Sequence, residues 1–262
     1  MTSLLFDIGG TSMRVARGAD GTLSGIHKMP TPEDPYAVVA CIVFYAKGIP
    51  DLASVSGGIA GLIEEGVVRR SPHLSRWNGF PFASALAEAL MVPVSVKNDA
   101  ELAALGEAVY GAGKDYALVG YLGIGTGIGG AHIENKRIAP HASGFEPGHQ
   151  ILDIDTGATF EGLVSGSALK RAFGKPAQEL PRTVYEDLTP TLVTGIYNVL
   201  LAWSPDVLVL GGSLMNDENG YRMKDVERLL ATLPGALPQM PVLAHSALGD
   251  DNGLWGALAI VS

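Results

Sequence analysis

The pattern of apolar and polar positions divides the chain into short strands and longer helices. Short apolar runs that end in glycine or polar residues predict strands; they lie at residues 3–8, 13–16, 52–59, 92–96, 116–122, 131–133 and 205–210. Apolar positions at helical spacing predict helices at residues 35–47, 82–90, 100–110, 167–173, 184–203 and 252–260. Segment 71–82, rich in turn-forming residues, is predicted to be an ordered loop. Strands that alternate with helices predict an α/β fold.

Glycine-rich turns follow strands in both halves of the chain. The chain holds 34 glycines, concentrated in a few loops, which indicates backbone that lies close to a ligand. This recurrence predicts two related lobes around a central cleft. We place a smaller N-terminal lobe at residues 1–112, joined by the C-terminal helix at about 248–262, and a larger C-terminal lobe at residues 113–247.

Composition narrows the class of protein. The formal charge of −9 argues against nucleic acid as a partner, because phosphate backbones are bound by clustered lysine and arginine. The single cysteine, Cys41, excludes an internal disulfide and a thiolate metal site. No basic leader precedes Asp7, and no apolar run reaches the roughly 20 residues that span a bilayer. We therefore expect a soluble, cytoplasmic protein without membrane contact.

The glycine turns admit more than one interpretation. Residues 125–130 match the dinucleotide pattern G-x-G-x-x-G, but that pattern must lead from a strand into a helix, and here a strand is predicted to follow. The phosphate-loop pattern G-x-x-x-x-G-K-[ST] does not occur in the sequence. A strand–turn–strand hairpin instead points backbone N–H groups at phosphate oxygens. Two such hairpins are predicted, at residues 7–14 and 122–132, with Thr11 and Thr126 beside their glycines; plain β-turns are the alternative.

Asp99 lies where a predicted strand gives way to an alanine-rich helix, in the sequence K-N-D-A-E-L at residues 97–102. Its carboxylate can cap the helix by accepting from orphan backbone N–H groups. The same position would also hold it as a general base at the rim of a cleft. The local sequence leaves both roles open.

An ordered set of motifs resembles the ROK family of sugar kinases, within the actin-like ATPase superfamily. The two glycine hairpins are similar to the family's phosphate motifs, and Asn98-Asp99 resembles the segment that holds its catalytic aspartate. Residues 146–149 match its sugar-binding motif E-x-G-H. Further matches follow in order: Glu161 with the sequence S-G-S-A-L at 165–169, the strand and turn at 207–213, and the start of the last helix at 249–257. The resemblance implies an α/β, two-lobed actin-like ATPase (ribonuclease H-like) fold that closes over the sugar.

By this resemblance the chain is expected to transfer the terminal phosphoryl group of ATP to the 6-hydroxyl of a hexose, with glucose the first choice. Asp99 would accept the hydroxyl proton, and Mg²⁺ would be held through the phosphates and Asp7. The residues expected to bind the sugar are Asn78, Asn98, Glu146, His149 and Glu161. The residues expected to bind the nucleotide are Asp7, Gly9, Gly10, Thr11, Gly125, Thr126, Gly127, Gly211 and Gly212. Family members often dimerise, so a homodimer is also expected.

Two departures from the family pattern bear on the substrates. Most members carry a C-x-C-G-x-x-G-C zinc cluster after E-x-G-H, whereas residues 151–157 contain no cysteine, and we therefore expect no structural zinc. Members without the cluster include polyphosphate-using glucokinases, which makes polyphosphate an alternative donor. The sugar loop reads H-L-S-R-W-N at 73–78 instead of the common N-L-x-x-W. This leaves N-acetylmannosamine, N-acetylglucosamine and fructose as alternative acceptors, and Trp77 is expected in the core of the loop.

A sugar-sensing regulator is the rival from another functional class. Regulators related to this family carry a helix-turn-helix domain before the first phosphate motif, whereas six residues precede Asp7 here. An actin-like ATPase acting on protein partners is disfavoured by the sugar motif at 146–149. The intact Asn98-Asp99 favours a kinase.

Overall fold

The computed structural model describes residues 1–72, 74–235, 237 and 239–262. The chain folds into two compact units. Unit 1 comprises Met1–Tyr110, Pro140–Gly144 and Asp250–Ser262, and unit 2 comprises Gly111–Ala139 and Phe145–Gly249. Residues 140–144, the 140–144 excursion, belong to unit 1, although the segments on both sides of them belong to unit 2. The sequence pattern does not predict this. Among the described residues, none of the helices is long and apolar enough to cross a membrane.

Unit 1 is built on a five-stranded sheet. Its elements are β1 (Thr2–Ile8), β2 (Ser12–Ala19), β3 (Thr22–Pro30), α1 (Pro35–Ala46), β4 (Leu52–Ile59), β5 (Leu62–Glu64), β6 (Val67–Arg70), α2 (Phe82–Leu90), β7 (Val94–Asn98), α3 (Asp99–Val109) and α8 (Asn252–Val261). The strand order is β3-β2-β1-β4-β7. The β1–β2 and β2–β3 pairs are antiparallel, and the β1–β4 and β4–β7 pairs are parallel. The segments that follow the three parallel strands therefore leave the sheet at one edge.

Strand β1 and helices α3 and α8 form the structure around the edge where these segments leave the sheet. Strand β1 is apolar on both faces, as expected for the middle of a sheet that is covered on both sides. Leu5 and Phe6, which lie on opposite faces, are completely buried. Helices α3 and α8 pack backbone to backbone, because a Cβ on Gly256 would collide with the carbonyl of Leu102. This contact holds the start of α8 beside α3.

Unit 2 is built on a second five-stranded sheet. Its elements are β8 (Leu118–Ile124), β9 (Ile128–Glu134), β10 (Arg137–Ile138), β11 (Ile151–Asp153), β12 (Ala158–Thr159), α4 (Phe160–Val164), α5 (Gly166–Phe173), α6 (Arg182–Trp203), β13 (Val207–Gly211), α7 (Met223–Leu230) and β14 (Val242–His245). The strand order is β10-β9-β8-β13-β14. The β8–β9 and β9–β10 pairs are antiparallel, and the β8–β13 and β13–β14 pairs are parallel.

The two sheets repeat one topology. Each has a three-stranded antiparallel part followed by two strands parallel to its first strand, and in each a glycine turn joins the first two strands. The predicted α/β fold is confirmed. The strand at Leu52–Ile59 and the helix at Phe82–Leu90 have their predicted bounds. The apolar pattern does not predict β3, because this edge strand is exposed along most of its length, nor does it predict α7 or β14.

Candidate active site

The first glycine hairpin joins β1 to β2 and exposes donors rather than acceptors. The Gly9 N–H donates to the Ser12 carbonyl at 3.0 Å. Thr31 takes up the carbonyls of the turn, because its hydroxyl donates to Gly9 O at 2.8 Å and its N–H donates to Thr11 O at 3.1 Å. Within the described residues, the N–H groups of Gly10 and Thr11 make no hydrogen bond. Such a turn is suited to an anion such as phosphate.

A cluster of aspartates surrounds Arg14 at the end of β1. The Nη1 atom of Arg14 lies 3.5 Å from Asp7 Oδ2, and Nη2 donates to Asp250 Oδ2 at 2.8 Å. Its Nε lies 3.6 Å from Asp251 Oδ1. Burial, with a further contribution from the charge of Asp99, raises the pKa of Asp7 to about 7 although Arg14 opposes the shift. No motif in the sequence points to Arg14. Its position follows from the β1–β2 hairpin, which pairs it with Asp7.

Asp99 is the first residue of α3, and Asn98 is the N-cap. Asn98 has extended backbone angles and its Oδ1 accepts from the Glu101 N–H at 3.1 Å. The interpretation of Asp99 as the cap is therefore wrong, because the extended conformation that a cap requires falls one residue earlier. Asp99 Oδ1 accepts from the Ala100 N–H at 2.9 Å, which places its carboxylate in the first turn, where the helix dipole attracts negative charge.

The turn after β4 lies against this helix start. A Cβ on Gly58 would be 3.1 Å from Asp99 Cα, so the glycine allows β4 to approach α3. Asn98 Nδ2 donates to Gly61 O at 2.9 Å, and Gly61 has a φ of +132°, which side chains rarely permit. The Asn98 amide thus bonds backbone on both sides, and its contact with sugar stays a prediction.

The loop before α2 joins the same turn. Asn78 Oδ1 accepts from the Ser71 N–H at 2.9 Å, and Ser71 Oγ donates to Ala60 O at 2.6 Å. The structure therefore attaches Asn78, through Ser71, to the turn that Asn98 contacts.

Trp77, next to Asn78, belongs to the core of unit 1. It is completely buried, stacks on Phe82 and donates its indole N–H to Glu33 O at 2.9 Å. Its expected place in the core is confirmed. His73, the first residue of the sugar loop named from the sequence, lies outside the described residues.

His141 ties the 140–144 excursion to α3. Its Nε2 lies 2.7 Å from Oε1 of Glu101, whose side chain is buried. Its Nδ1 accepts from the Gly144 N–H at 2.7 Å, which fixes the tautomer with the proton on Nε2. The sequence analysis gave His141 no role, because its partner lies far away in the sequence.

The second glycine hairpin, between β8 and β9, also exposes backbone donors rather than acceptors. Gly125 N–H donates to Gly127 O at 2.9 Å. The first turn of α5 takes up the other carbonyls, since Gly166 N–H donates to Gly125 O at 2.8 Å and Ser167 N–H donates to Thr126 O at 2.9 Å. In the part of the chain that the structure describes, the N–H groups of Thr126 and Gly127 make no hydrogen bond. Because the turn leads into a strand, the dinucleotide interpretation is not supported.

Glu161 supports this hairpin from α4. Its Oε2 accepts from the Ile128 N–H at 2.6 Å, and a Cβ on Gly127 would collide with the same carboxylate. The structure therefore places Glu161 at the phosphate-type turn, and its contact with a sugar hydroxyl stays a prediction.

Gly211 ends β13 beside the second hairpin, and Gly212 follows it. Gly212 has a φ of +88°, and a Cβ there would collide with the carbonyl of Ile124. A Cβ on Gly125 would lie 3.6 Å from Ser213 Oγ. The structure thus brings together these two predicted nucleotide-binding turns of unit 2.

Glu146 precedes a short 3-10 helix, Pro147–His149, and His149 is its last residue. His149 Nδ1 lies 3.2 Å from Glu146 Oε2, and the side chains are 62% and 57% exposed. A Cβ on Gly148 would collide with the carbonyl of Ile128, so this turn packs against the strand that leaves the second hairpin. The sequence-predicted sugar motif is therefore a paired, accessible acid and imidazole.

The segment that holds cysteines in most ROK kinases forms the hairpin β11–β12. Asp153 closes it: Oδ1 accepts from the Asp155 N–H at 2.9 Å and Oδ2 from the Thr156 hydroxyl at 2.7 Å. The hydrogen bonds from Thr156 and Asp155 lower the pKa of Asp153. The expected lack of zinc stays a prediction.

The aspartate cluster of unit 1 fits a divalent cation that arrives with phosphates. The four carboxylates of Asp7, Asp99, Asp250 and Asp251 are compensated by Arg14 and by Lys28, whose Nζ lies 3.9 Å from Asp250 Oδ2. Within the described residues, no three or more His, Cys, Asp or Glu side chains converge to hold a metal by themselves. Mg²⁺ at phosphate sites is typically bound by one or two carboxylates together with phosphate oxygens and water, and Asp7 is placed to supply one.

Two proteins with similar sequences are named as sugar kinases. A fructokinase from Pediococcus pentosaceus is 26% identical over 276 aligned positions, which cover 97% of this chain and 95% of the relative. A glucokinase from Streptomyces coelicolor is 33% identical over 140 positions, 50% of this chain and 43% of the relative.

Solved structures extend the likeness to the fold. A ROK hexokinase from Thermus thermophilus superposes with a TM-score of 0.83 at 28% identity, covering 99% of this chain and 97% of that one. An inorganic polyphosphate/ATP-glucomannokinase from Arthrobacter has a TM-score of 0.71 at 27% identity, with 99% and 98% covered. The sequence model of the ROK family matches residues 4–262. With both the sequence and the actin-like fold matched over almost its whole length, the chain belongs to the ROK family.

Proposed function

We propose that this protein is a hexose kinase that transfers the terminal phosphoryl group of ATP to the 6-hydroxyl of glucose. The observation that carries the proposal is the arrangement in unit 1 of a donor-presenting glycine turn with two carboxylates, Asp7 and Asp99, close enough for one to raise the pKa of the other. The relatives named fructokinase, hexokinase and glucomannokinase support a hexose as the acceptor. Glucose as the preferred hexose and ATP as the donor belong to the proposal.

Asp99 is the general base of the proposed reaction. The sugar 6-hydroxyl oxygen forms a bond to the terminal phosphorus while its proton passes to the Asp99 carboxylate. The bond between that phosphorus and the bridging oxygen breaks, and ADP leaves with the electron pair. The first turn of α3 holds the base in place through the Ala100 N–H and the close contact with Gly58.

The phosphates are handled by backbone donors and by the aspartate cluster. In the proposal, the N–H groups of Gly10 and Thr11 donate to phosphate oxygens. Thr126 and Gly127 present an equivalent pair of N–H donors in the second hairpin. Mg²⁺, when bound, neutralises phosphate charge. Asp7 would supply a carboxylate to that ion, and Arg14, whose Nη1 lies 3.5 Å from Asp7 Oδ2, would orient it.

In the proposal, the sugar is held by polar side chains. Glu146 and His149 are accessible and paired, so the glutamate can accept from a ring hydroxyl and the imidazole can donate to one. Asn98 and Asn78 are held by the turn at 60–61 and would contact the sugar from unit 1. We propose that Glu161 acts on the nucleotide hairpin, because its carboxylate is bound to Ile128.

Turnover of a hexose panel tests the proposal. The purified protein is assayed with glucose, fructose, mannose, N-acetylmannosamine and N-acetylglucosamine, each with ATP and with polyphosphate, and each with and without Mg²⁺. We expect the highest kcat/KM for glucose with ATP and Mg²⁺, and ³¹P NMR should identify the 6-phosphate. Faster turnover with another sugar or with polyphosphate would correct the substrate. No phosphorylation of any sugar by either donor would contradict a kinase and favour a sugar-sensing protein.

A further inference from the structure

Gln150 follows the Glu146–His149 motif and bonds it to helix α6. Its Nε2 donates to Pro147 O at 3.0 Å, within the 3-10 turn, and to Gly195 O on α6 at 3.2 Å. Its Oε1 accepts from Asn198 Nδ2, one turn further along α6, at 2.9 Å. One side-chain amide thus joins the turn to a long helix at two points.

The chemistry of the partners fixes the orientation of this amide. The carbonyls of Pro147 and Gly195 can only accept, so the NH₂ group of Gln150 must face them and its oxygen must face Asn198. The backbone carbonyl of Gln150 also accepts from Phe160 N–H at 2.9 Å. Phe160 starts α4 and packs on Gly195, where a Cβ would collide with its ring.

The opposite side of the turn packs against strand β9 through close contacts of glycine and proline. A Cβ on Gly148 would collide with the Ile128 carbonyl, and a Cβ on Gly130 would lie 3.0 Å from the Pro147 ring. These contacts limit the approach of the turn to β9 but do not fix its rotation. The Gln150 amide supplies the directional contacts, because hydrogen bonds weaken steeply with angle.

We infer that Gln150 is a positioning residue whose side-chain amide orients the turn carrying Glu146 and His149 and thereby sets the affinity for the sugar. The inference rests on the proposed function, since it assigns the turn to sugar binding. Gln150 itself acts through its neighbours: His149 and Glu146 present the accessible groups, while Gln150 is half-buried between the turn and α6.

Two substitutions at Gln150 separate orientation from packing. Gln150→Met keeps the length of the side chain and removes the amide. Gln150→Glu keeps the acceptor for Asn198 but turns a carboxylate oxygen towards two carbonyls. Gln178→Met, at an exposed position of unit 2, is the matched control for the change from glutamine to methionine.

Steady-state kinetics and hydrogen exchange provide the readouts. We expect Gln150→Met to raise the KM for the hexose about tenfold, less than the roughly 10²-fold that a 1 Å misplacement can cost, with the KM for ATP unchanged. The melting temperature should fall by only a few degrees, because the partners of the amide lose their hydrogen bonds. Gln150→Glu should raise the hexose KM further, and Gln178→Met should not change it. In the sugar-free protein, amides of residues 146–150 should exchange faster in Gln150→Met than in the wild type or the control.

The outcomes distinguish this inference from the proposed function. If the wild type phosphorylates a hexose and Gln150→Met has an unchanged hexose KM and unchanged exchange at 146–150, the inference is overturned. If Gln150→Met raises the KM values for ATP and hexose equally and lowers the melting temperature, Gln150 is structural only and the inference is also overturned. If the wild type phosphorylates no sugar, the proposed function fails, while faster exchange at 146–150 would still support the positioning of the turn.

Discussion

Replacing Asp7 with asparagine should stabilise the metal-free protein at neutral pH while abolishing turnover. The Asp7 side chain is 16% exposed, and its pKa rises from 3.8 to about 7. Because the folded state binds this proton more tightly than the unfolded state, the free energy of unfolding falls as the pH rises through that window. The shift of about 3 pK units corresponds to roughly 4 kcal/mol above pH 7. Asparagine does not titrate, so the free energy of unfolding of the variant does not fall in this way as the pH rises.

The test is how the difference in the free energy of unfolding between Asp7→Asn and the wild type changes with pH. Between pH 5 and pH 8 the stability of Asp7→Asn relative to the wild type should grow by about 3 kcal/mol, or about 10 °C in melting temperature. The assay is thermal unfolding in EDTA at several pH values. Asp250→Asn removes an equal charge from an 82% exposed side chain and should show little growth, since exposed ion pairs contribute little. An advantage of Asp7→Asn that is constant or shrinks as the pH rises would refute the reasoning.

Two further variants test other contacts of the site. Glu161→Gln weakens the charge-assisted bond to the Ile128 N–H and should raise the KM for ATP by about tenfold with the hexose KM unchanged; an effect confined to the hexose would return Glu161 to a sugar-binding role. His141→Ala removes the donor to buried Glu101 and should lower the free energy of unfolding by about 1–3 kcal/mol, measured by urea titration. His141→Gln should restore part of it, and equal stability of wild type and His141→Ala would show that the contact contributes nothing.

The sequence predicts a helix start well where local chemistry marks it. Helix α1 starts at Pro35 after an aspartate cap, Asp34, and both residue types are typical of a helix start. Helix α2 ends at Leu90, and Met91 closes it in a left-handed conformation. Strand β3 is not predictable in the same way, because an exposed edge strand lacks the alternation of apolar and polar residues that signals a sheet. Its position is decided by pairing with β2.

In the candidate site, the residues of local motifs could be predicted from the sequence, whereas contacts between distant segments could not. The turns and the Glu146–His149 pair are local, so their residues could be named from motifs. The cap at Asn98 differs from the predicted one by a single residue, since both asparagine and aspartate can cap and only the backbone angles decide. The contacts of Gln150 with Gly195 and of His141 with Glu101 join distant segments, and no periodicity in the sequence carries that information.

Asp99→Asn shows whether Asp99 takes the proton from the sugar, because asparagine cannot accept a proton. Since Asn98 caps α3, the substitution leaves the cap intact. Because it also removes a charge that raises the pKa of Asp7, the melting temperature should not fall. The account predicts that kcat for hexose phosphorylation with MgATP falls by about 10²–10⁴-fold, with both KM values close to those of the wild type. A variant that phosphorylates the hexose at a near-normal kcat would contradict it.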